Sequence, residues 1–214
     1  QELHYYDVYA PLTQGISARY TYDQAKQMVL DAVAPLGEEY CSIVRKGFSE
    51  RWIDVYPNKG KTGGAYSSGS YDSSPYILTN FTGTLDSVST IAHEMGHSMH
   101  TWFSNHTQPP QTADYTLFVA EVASTVNENL LIEHLLSRPD MDPQTRLALL
   151  NQYLENFKGT VFRQTMFAEF EREAHAMAEM GEALNPASLN ALYEGLVKDY
   201  FGPELVMDEE VAYE

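Results

Sequence analysis

The sequence predicts a mainly α-helical fold, with a small β element just before a histidine-bearing helix. Three observations carry this. Apolar residues recur at helical spacing over most of the 214 positions. Strand-like segments occur between residues 52 and 81. Breaks rich in Gly, Ser, Asn and Pro separate the helical stretches.

Taken in order, residues 5–11 are expected to be extended or irregular. Residues 22–36 form a helix, with Ala25, Met28, Val29, Ala32 and Val33 at helical spacing and Pro35 near its end. A second short helix over 37–47 carries Tyr40, Ile43 and Val44. Residues 52–56 alternate as a strand, 57–64 are a loop, and 65–74 are Gly, Ser, Tyr and Asp with little to bury. A further strand covers 76–81. A helix then starts between Leu85 and Ser89 and runs through the histidines to about Phe103, and a break follows at 108–111. Helices are expected over 115–137 and 143–180, the latter bent near Gly159. A last helix opens on Asn185-Pro186, an N-cap followed by proline at the first helical position, and ends near Gly202. The tail 204–214 holds five acids and no base.

The formal charge is −17 and the isoelectric point about 4.6. That balance argues against a nucleic-acid partner, which needs clustered Lys and Arg, and against a polybasic membrane anchor. With 43% hydrophobic residues the chain is too apolar for disorder. The single cysteine, Cys41, excludes an internal disulfide and a cysteine-rich zinc site, and fits a reducing compartment. No apolar run approaches a membrane span, and residues 1–4 show no signal-peptide pattern, so a cytoplasmic location is expected. The first residue is Gln rather than Met, which suggests a piece of a longer protein.

Charge is unevenly placed. Residues 1–61 carry 8 acids and 7 bases, and residues 138–214 carry 15 acids and 6 bases. Residues 62–137 hold 7 acids and no Lys or Arg. Four of the seven histidines cluster in that base-free stretch: His93, His97, His100 and His106.

The strongest local signal is His93-Glu94-Met95-Gly96-His97. Residues four apart lie on one helix face, one turn apart, so both imidazoles can reach one ion. Glu94 is offset around the helix, where it can reach a water on that ion. This is the spacing of a zinc-bound water with a carboxylate general base. Catalytic zinc needs three protein ligands. A third histidine six residues past His97 is ruled out by Phe103. Glu121, the acid within Phe118-Val119-Ala120-Glu121-Val122-Ala123-Ser124, is the expected third ligand, because a bound cation would offset the cost of burying it. Glu128, seven residues on, either accepts a hydrogen bond from a ligand histidine or is a solvated helix acid. His100 is placed near the same face, lining the site or bonding a neighbour, and is not expected to be a ligand. The donor set suits zinc, and also Mn or Co.

These residues resemble a known family. His93 to His100 (HEMGHSMH) and Phe118 to Glu128 (FVAEVASTVNE) are similar to oligoendopeptidase F, in the thimet-oligopeptidase-like family of zinc metallopeptidases. Residues 64–69, 159–171 and 198–202 extend the likeness over most of the chain. The resemblance implies a zincin-like catalytic core binding one Zn2+ per chain, with His93, His97 and Glu121 as ligands and Glu94 as general base. It implies a deep channel that admits short unstructured peptides, with short strands before the zinc helix forming one wall. Here that wall would be residues 66–80, with Tyr71 and Tyr76 as lining residues. It further implies that residues 1–214 are part of a single catalytic domain. The family's N-terminal helical region and its later Tyr- and His-rich, oxyanion-stabilising segment would be missing, leaving the isolated chain a poor catalyst.

The expected reaction is hydrolysis of internal bonds in short peptides. The base-free stretch offers no cation to anchor a terminal carboxylate, which favours endopeptidase action. The alternatives are a carboxypeptidase or dipeptidyl carboxypeptidase on the same scaffold, or an inactive metal-binding helical domain. The oligomeric state is left open.

Overall fold

The structure is a computed structural model that describes residues 2–10, 12–13 and 18–213. In chain order the elements are β1 (Leu3–His4), α1 (Tyr22–Ala32), α2 (Glu38–Ser49), β2 (Ile53–Asp54), β3 (Tyr66–Ser68), β4 (Tyr76–Leu78), α3 (Leu85–Thr107), α4 (Leu117–Leu136), α5 (Pro143–Phe157), α6 (Gln164–Glu179), α7 (Pro186–Phe201) and β5 (Leu205–Val206). The fold is mainly α, as expected. Among the described residues no helix is long and apolar enough to cross a membrane. The chain divides into two compact units, Ile16–Asp142 and a unit combining Gln1–Gly15 with Pro143–Glu214.

The first unit holds α1 to α4 and the sheet β2–β4–β3. Thr21 caps α1 by accepting from the Gln24 amide, while the Gln24 side chain accepts from the Thr21 amide. α2 lays Cys41 and Val44 against Val33, Ile77, Met95 and Met99, the buried core that supports α3 from below. The Cys41 thiol is buried and donates to the Val33 carbonyl, so it packs as a small apolar group. β2 and β4 run parallel with Ile53 opposite Ile77, and β3 adds antiparallel with Ser67 opposite Ile77. The composition of residues 65–74 offered little to bury, while the family resemblance implied short strands within 66–80. Three residues of this stretch pair as β3 because their backbone groups find β4, although their side chains bury little. Ser67 Oγ lies 2.8 Å from Ser98 Oγ, which fastens β3 to α3. Thr84 caps α3 by accepting from the Ser87 amide. α3 extends to Thr107, one turn beyond the expected end at Phe103.

In the second unit β1 pairs in parallel with β5, Leu3 opposite Leu205. Residues 5–11, expected to be extended or irregular, open on a 3-10 turn over Tyr5–Tyr9 directly after β1, and residue 11 lies outside the described residues. Tyr5 packs with Met166, Tyr193, Val197, Leu205 and Val211. The acidic tail is likewise tied down, since its apolar Leu205 and Val211 are buried and His4 Nδ1 lies 2.9 Å from Asp208 Oδ1. The bend expected near Gly159 is a π-helical segment, Lys158–Arg163, between α5 and α6. Asn185 caps α7 reciprocally with Ser188, and Pro186 opens the helix. Glu169, in an acid-rich stretch with Glu171 and Glu173, is half-buried and accepts from the Tyr200 hydroxyl at 2.8 Å.

Candidate metal centre

α3 and α4 supply every group of the site. Facing residues descend along one helix as they rise along the other: Ala92 with Asn127, His93 with Glu128, Gly96 with Ser124, His97 with Glu121. The two helices are therefore antiparallel, and the i, i+4 spacing of His93 and His97 presents both rings to the first turns of α4.

His93 Nε2 and His97 Nε2 are 3.1 Å apart, and Glu121 Oε2 is 3.4 Å from each. Donors about 2.0–2.1 Å from a common ion in tetrahedral array stand about 3.3–3.4 Å from one another. The three atoms thus form one triangular face of a coordination tetrahedron that zinc would fit, leaving the fourth vertex open. No other grouping of His, Cys, Asp and Glu among the described residues meets the same condition.

The neighbours hold these donors in place. Glu128 Oε1 lies 2.8 Å from His93 Nδ1 and directs the other ring nitrogen towards the donor set. Of the two readings of Glu128 from the sequence, the structure has the hydrogen-bonded one. The Ser124 hydroxyl donates to Glu121 Oε2 at 2.7 Å. Glu121 itself is not buried, since its side chain is 54% exposed, and Phe118 and Val122 beside it are exposed too. The burial cost that singled it out in the sequence therefore does not arise in this chain; its position relative to the histidines is what qualifies it.

Glu94 is only 6% exposed, and its Oε2 has no hydrogen-bond partner. Burial raises its pKa above the usual carboxylate value; His93 pulls it down, and the Glu121 and Glu128 carboxylates push it further up. Glu94 thus sets a buried carboxylate oxygen with no protein partner next to the first histidine of the donor set, which makes it a candidate for proton transfer. Burial alone would lower the His93 pKa, but the hydrogen bond to Glu128 and the charges of Glu128, Glu94 and Glu121 leave it raised. His97 is lowered, by burial and by the charge of His93.

His100 is not part of the donor set. Its ring stacks on Tyr115 at 3.7 Å, and its buried Nδ1 has no hydrogen-bond partner. His106 turns back on its own helix, onto Trp102. Tyr71 donates its hydroxyl to the Gln108 carbonyl at 2.8 Å and so ties the 65–74 segment to the end of α3. Tyr76 is 55% exposed and lines a hollow with Tyr22, Phe48 and Tyr56. No described contact joins either tyrosine to the donor set.

Three residues of the site were not picked out from the sequence. Ser124 stands three residues after Glu121, within reach on the same face. Asn127 is buried, donates to the Ala92 carbonyl and accepts from the Tyr40 hydroxyl. Gly96 occupies the helix crossing. A polar residue in an apolar helix was the available signal for Ser124 and Asn127; for Gly96 there was only the glycine itself, inside the motif.

A family model described as peptidase family M3 matches residues 1–214. Among similar proteins, oligopeptidase PepF of Bacillus subtilis is 50% identical over 213 residues, covering all of this chain and 32% of that protein. Oligoendopeptidase F (chromosomal) of Lactococcus lactis subsp. cremoris is 45% identical over 209 residues, covering 98% of this chain and 34% of that protein. The crystal structure of oligoendopeptidase-F from Enterococcus faecium superposes with a TM-score of 0.63 at 35% identity, covering all of this chain and 30% of that one. The chain spans about a third of the length of the curated relatives it matches. With the whole sequence matched and the fold shared with a solved relative, the chain belongs to peptidase family M3.

Proposed function

We propose that this chain forms the metal-holding core of a zinc-dependent endopeptidase acting on short, unstructured peptides. The observation that carries the reading is the convergence of His93 Nε2, His97 Nε2 and Glu121 Oε2 beside the orphaned Glu94 carboxylate. Zinc bound there would polarise the scissile carbonyl and acidify the attacking water. Glu94 accepts the water proton and passes it to the leaving amine. Its raised pKa brings it closer to the range where one group serves as base and then as acid. Glu128 keeps the His93 ring oriented, and Ser124 holds the Glu121 carboxylate.

The sheet supports a place for the substrate. β3 is an edge strand, so one side of Tyr66–Ser68 is free to pair with an extended peptide backbone, and the bond between Ser67 and Ser98 fixes that edge to the metal-bearing helix. Pairing through the main chain suits short unstructured substrates. Residues 62–137 contain no Lys or Arg to bind a terminal carboxylate, which favours internal cleavage. Partners are peptides, not nucleic acid or membrane, and the compartment is the cytoplasm.

The test pairs metal content with cleavage. Zinc is expected at one ion per chain and lost in His93→Ala and His97→Ala. A peptide blocked at both ends is expected to be cut slowly, because the chain spans only a third of its relatives, and ~10²–10⁴-fold more slowly still by Glu94→Gln. Cleavage confined to peptides with a free C-terminus would favour the carboxypeptidase reading. Zinc binding with no Glu94-dependent cleavage would favour a binding domain.

A further inference from the structure

We propose that Gly96 is a positioning residue for the metal centre. Its missing side chain lets α3 and α4 cross closely enough for Glu121 to complete the donor set. This rests on the reading of His93, His97 and Glu121 as metal ligands. A Cβ built on Gly96 would stand 2.6 Å from the Ala123 carbonyl oxygen, 2.7 Å from Ser124 Cα and 2.9 Å from the Ala123 carbonyl carbon. All three are backbone atoms of α4, so no side chain can swing aside. Carbon atoms in ordinary contact stand about 3.5–4.0 Å apart. Any side chain at position 96 therefore pushes α4 away by about 1 Å.

That retreat matters because Glu121 lies less than one turn before the crossing. Its Oε2 stands 3.4 Å from both imidazole nitrogens, near the edge length of a zinc tetrahedron, and Ser124, at the crossing itself, donates to the same oxygen. Displacing α4 moves the carboxylate and the hydroxyl that holds it together. His93 and His97 both lie on α3, so it is the α4 carboxylates that shift: Glu121 leaves the donor set, and Glu128 moves with the same helix away from His93 Nδ1. Glycine's cost in a helix, about 1 kcal/mol against alanine, would not be met inside α3 without such a return.

The experiment measures zinc affinity by chelator competition, alongside thermal unfolding, for the full chain and five variants. Gly96→Ala is expected to fold and to lose ~10–100-fold in zinc affinity. In a Glu121→Gln background it should add a smaller loss than in the parent, the part that comes from moving Glu128 away from His93. Leu131→Ala opens a cavity on α4 well past the crossing; it should lower the melting temperature and leave zinc affinity within about twofold of the parent. A parent-like affinity in Gly96→Ala overturns the proposal, as does a loss matched by Leu131→Ala. Glu121→Asp draws the carboxylate back by about one bond length, 1.5 Å, with the crossing intact. It should also bind zinc at least tenfold more weakly; full affinity there would mean the centre tolerates retreat, and would overturn the proposal even if Gly96→Ala failed to fold. A parent chain that binds no zinc would instead remove the metal reading itself.

Discussion

His93 Nδ1 and Glu128 Oε1 are 2.8 Å apart, thirty-five residues apart in sequence and on different helices. The bond fixes which ring nitrogen is left for a metal, because Nδ1 is occupied and Nε2 faces His97 and Glu121. Replacing Glu128 by Ala is expected to lower zinc affinity by ~10–100-fold, and Glu128→Gln, which can still accept a hydrogen bond, by less. Chelator competition on both variants measures this. Equal affinity in parent and Glu128→Ala would show that packing alone orients the ring.

Glu94→Gln should separate metal binding from catalysis. The side chain is no donor to the ion, so zinc content is expected to stay at the parent level while peptide cleavage falls by ~10²–10⁴-fold. The same variant tests the raised pKa. A carboxyl whose folded pKa is raised contributes stability that is complete below its unfolded value and lost as pH rises through the folded one. The metal-free parent should therefore lose stability relative to Glu94→Gln as pH rises above 4.5. Urea titrations at pH 4 and pH 7 would reveal the difference, and a gap that fails to widen with pH would count against the burial effect.

Much of this architecture was legible from residue spacing. The histidine helix, the break at 108–111, the Asn185 cap and the bend near Gly159 all follow from local chemistry: helical period, proline and capping side chains. Long-range pairings were not legible. Leu3 and Leu205 meet as parallel strands, although nothing near either residue specifies the other. β3 was implied only by the family resemblance, since its Tyr-Ser-Ser composition reads as loop until β4 supplies hydrogen-bond partners. At the site, the spacing of His93 and His97 is a property of one helix and could be read directly. Glu121 was selected for a burial cost that its 54% exposed side chain does not bear. Its place is set by the closeness of two helices at Gly96, a three-dimensional fact that a single glycine letter does not announce.

The approach to α3 is built on a second glycine. Gly83 has φ +79°, and an added Cβ would stand 2.9 Å from the Tyr20 carbonyl oxygen. The Tyr20 amide in turn donates to the Gly83 carbonyl at 2.9 Å, which holds the two segments close together at the turn. Gly83→Ala is expected to destabilise the chain by about 1–2 kcal/mol from the left-handed backbone alone. Steric conflict with Tyr20 adds to this. A denaturation midpoint equal to the parent's would show that the turn can relax.

The metal centre should also respond to pH through His93. Its pKa is raised in the metal-free chain, where the carboxylates of Glu128, Glu94 and Glu121 outweigh burial. The protonated ring contributes stability that is complete below 6.5 and lost as pH rises through the folded pKa. A metal needs the neutral ring, so zinc competes with that proton. Zinc affinity is expected to rise with pH on both sides of 6.5 and to level off once His93 is neutral. Calorimetry in buffers of different ionisation enthalpy should detect proton release on binding, with Glu128→Ala releasing less at the same pH.

Asn127 joins three elements by one amide: Nδ2 donates to the Ala92 carbonyl on α3 at 3.1 Å, and Oδ1 accepts from Tyr40 on α2 at 3.0 Å. Both ends are satisfied, so removing the amide loses the bond to the Ala92 carbonyl and leaves the half-buried Tyr40 hydroxyl without this acceptor. Asn127→Leu is expected to destabilise by about 1–3 kcal/mol. Burial pushes the Tyr40 hydroxyl up to about 12, against an ordinary value of 10.0. The stability held by its neutral form is complete below pH 10 and is lost as pH climbs towards 12. Alkaline unfolding, followed by tyrosinate absorbance together with circular dichroism, should therefore begin above pH 10 in the parent. Tyr40→Phe cannot ionise, yet it strands the Asn127 carbonyl oxygen. It should be less stable than the parent at pH 8 and lose less stability between pH 10 and 12. A parallel decline in both chains would place the alkaline sensitivity elsewhere and leave Asn127 a neutral brace between helices.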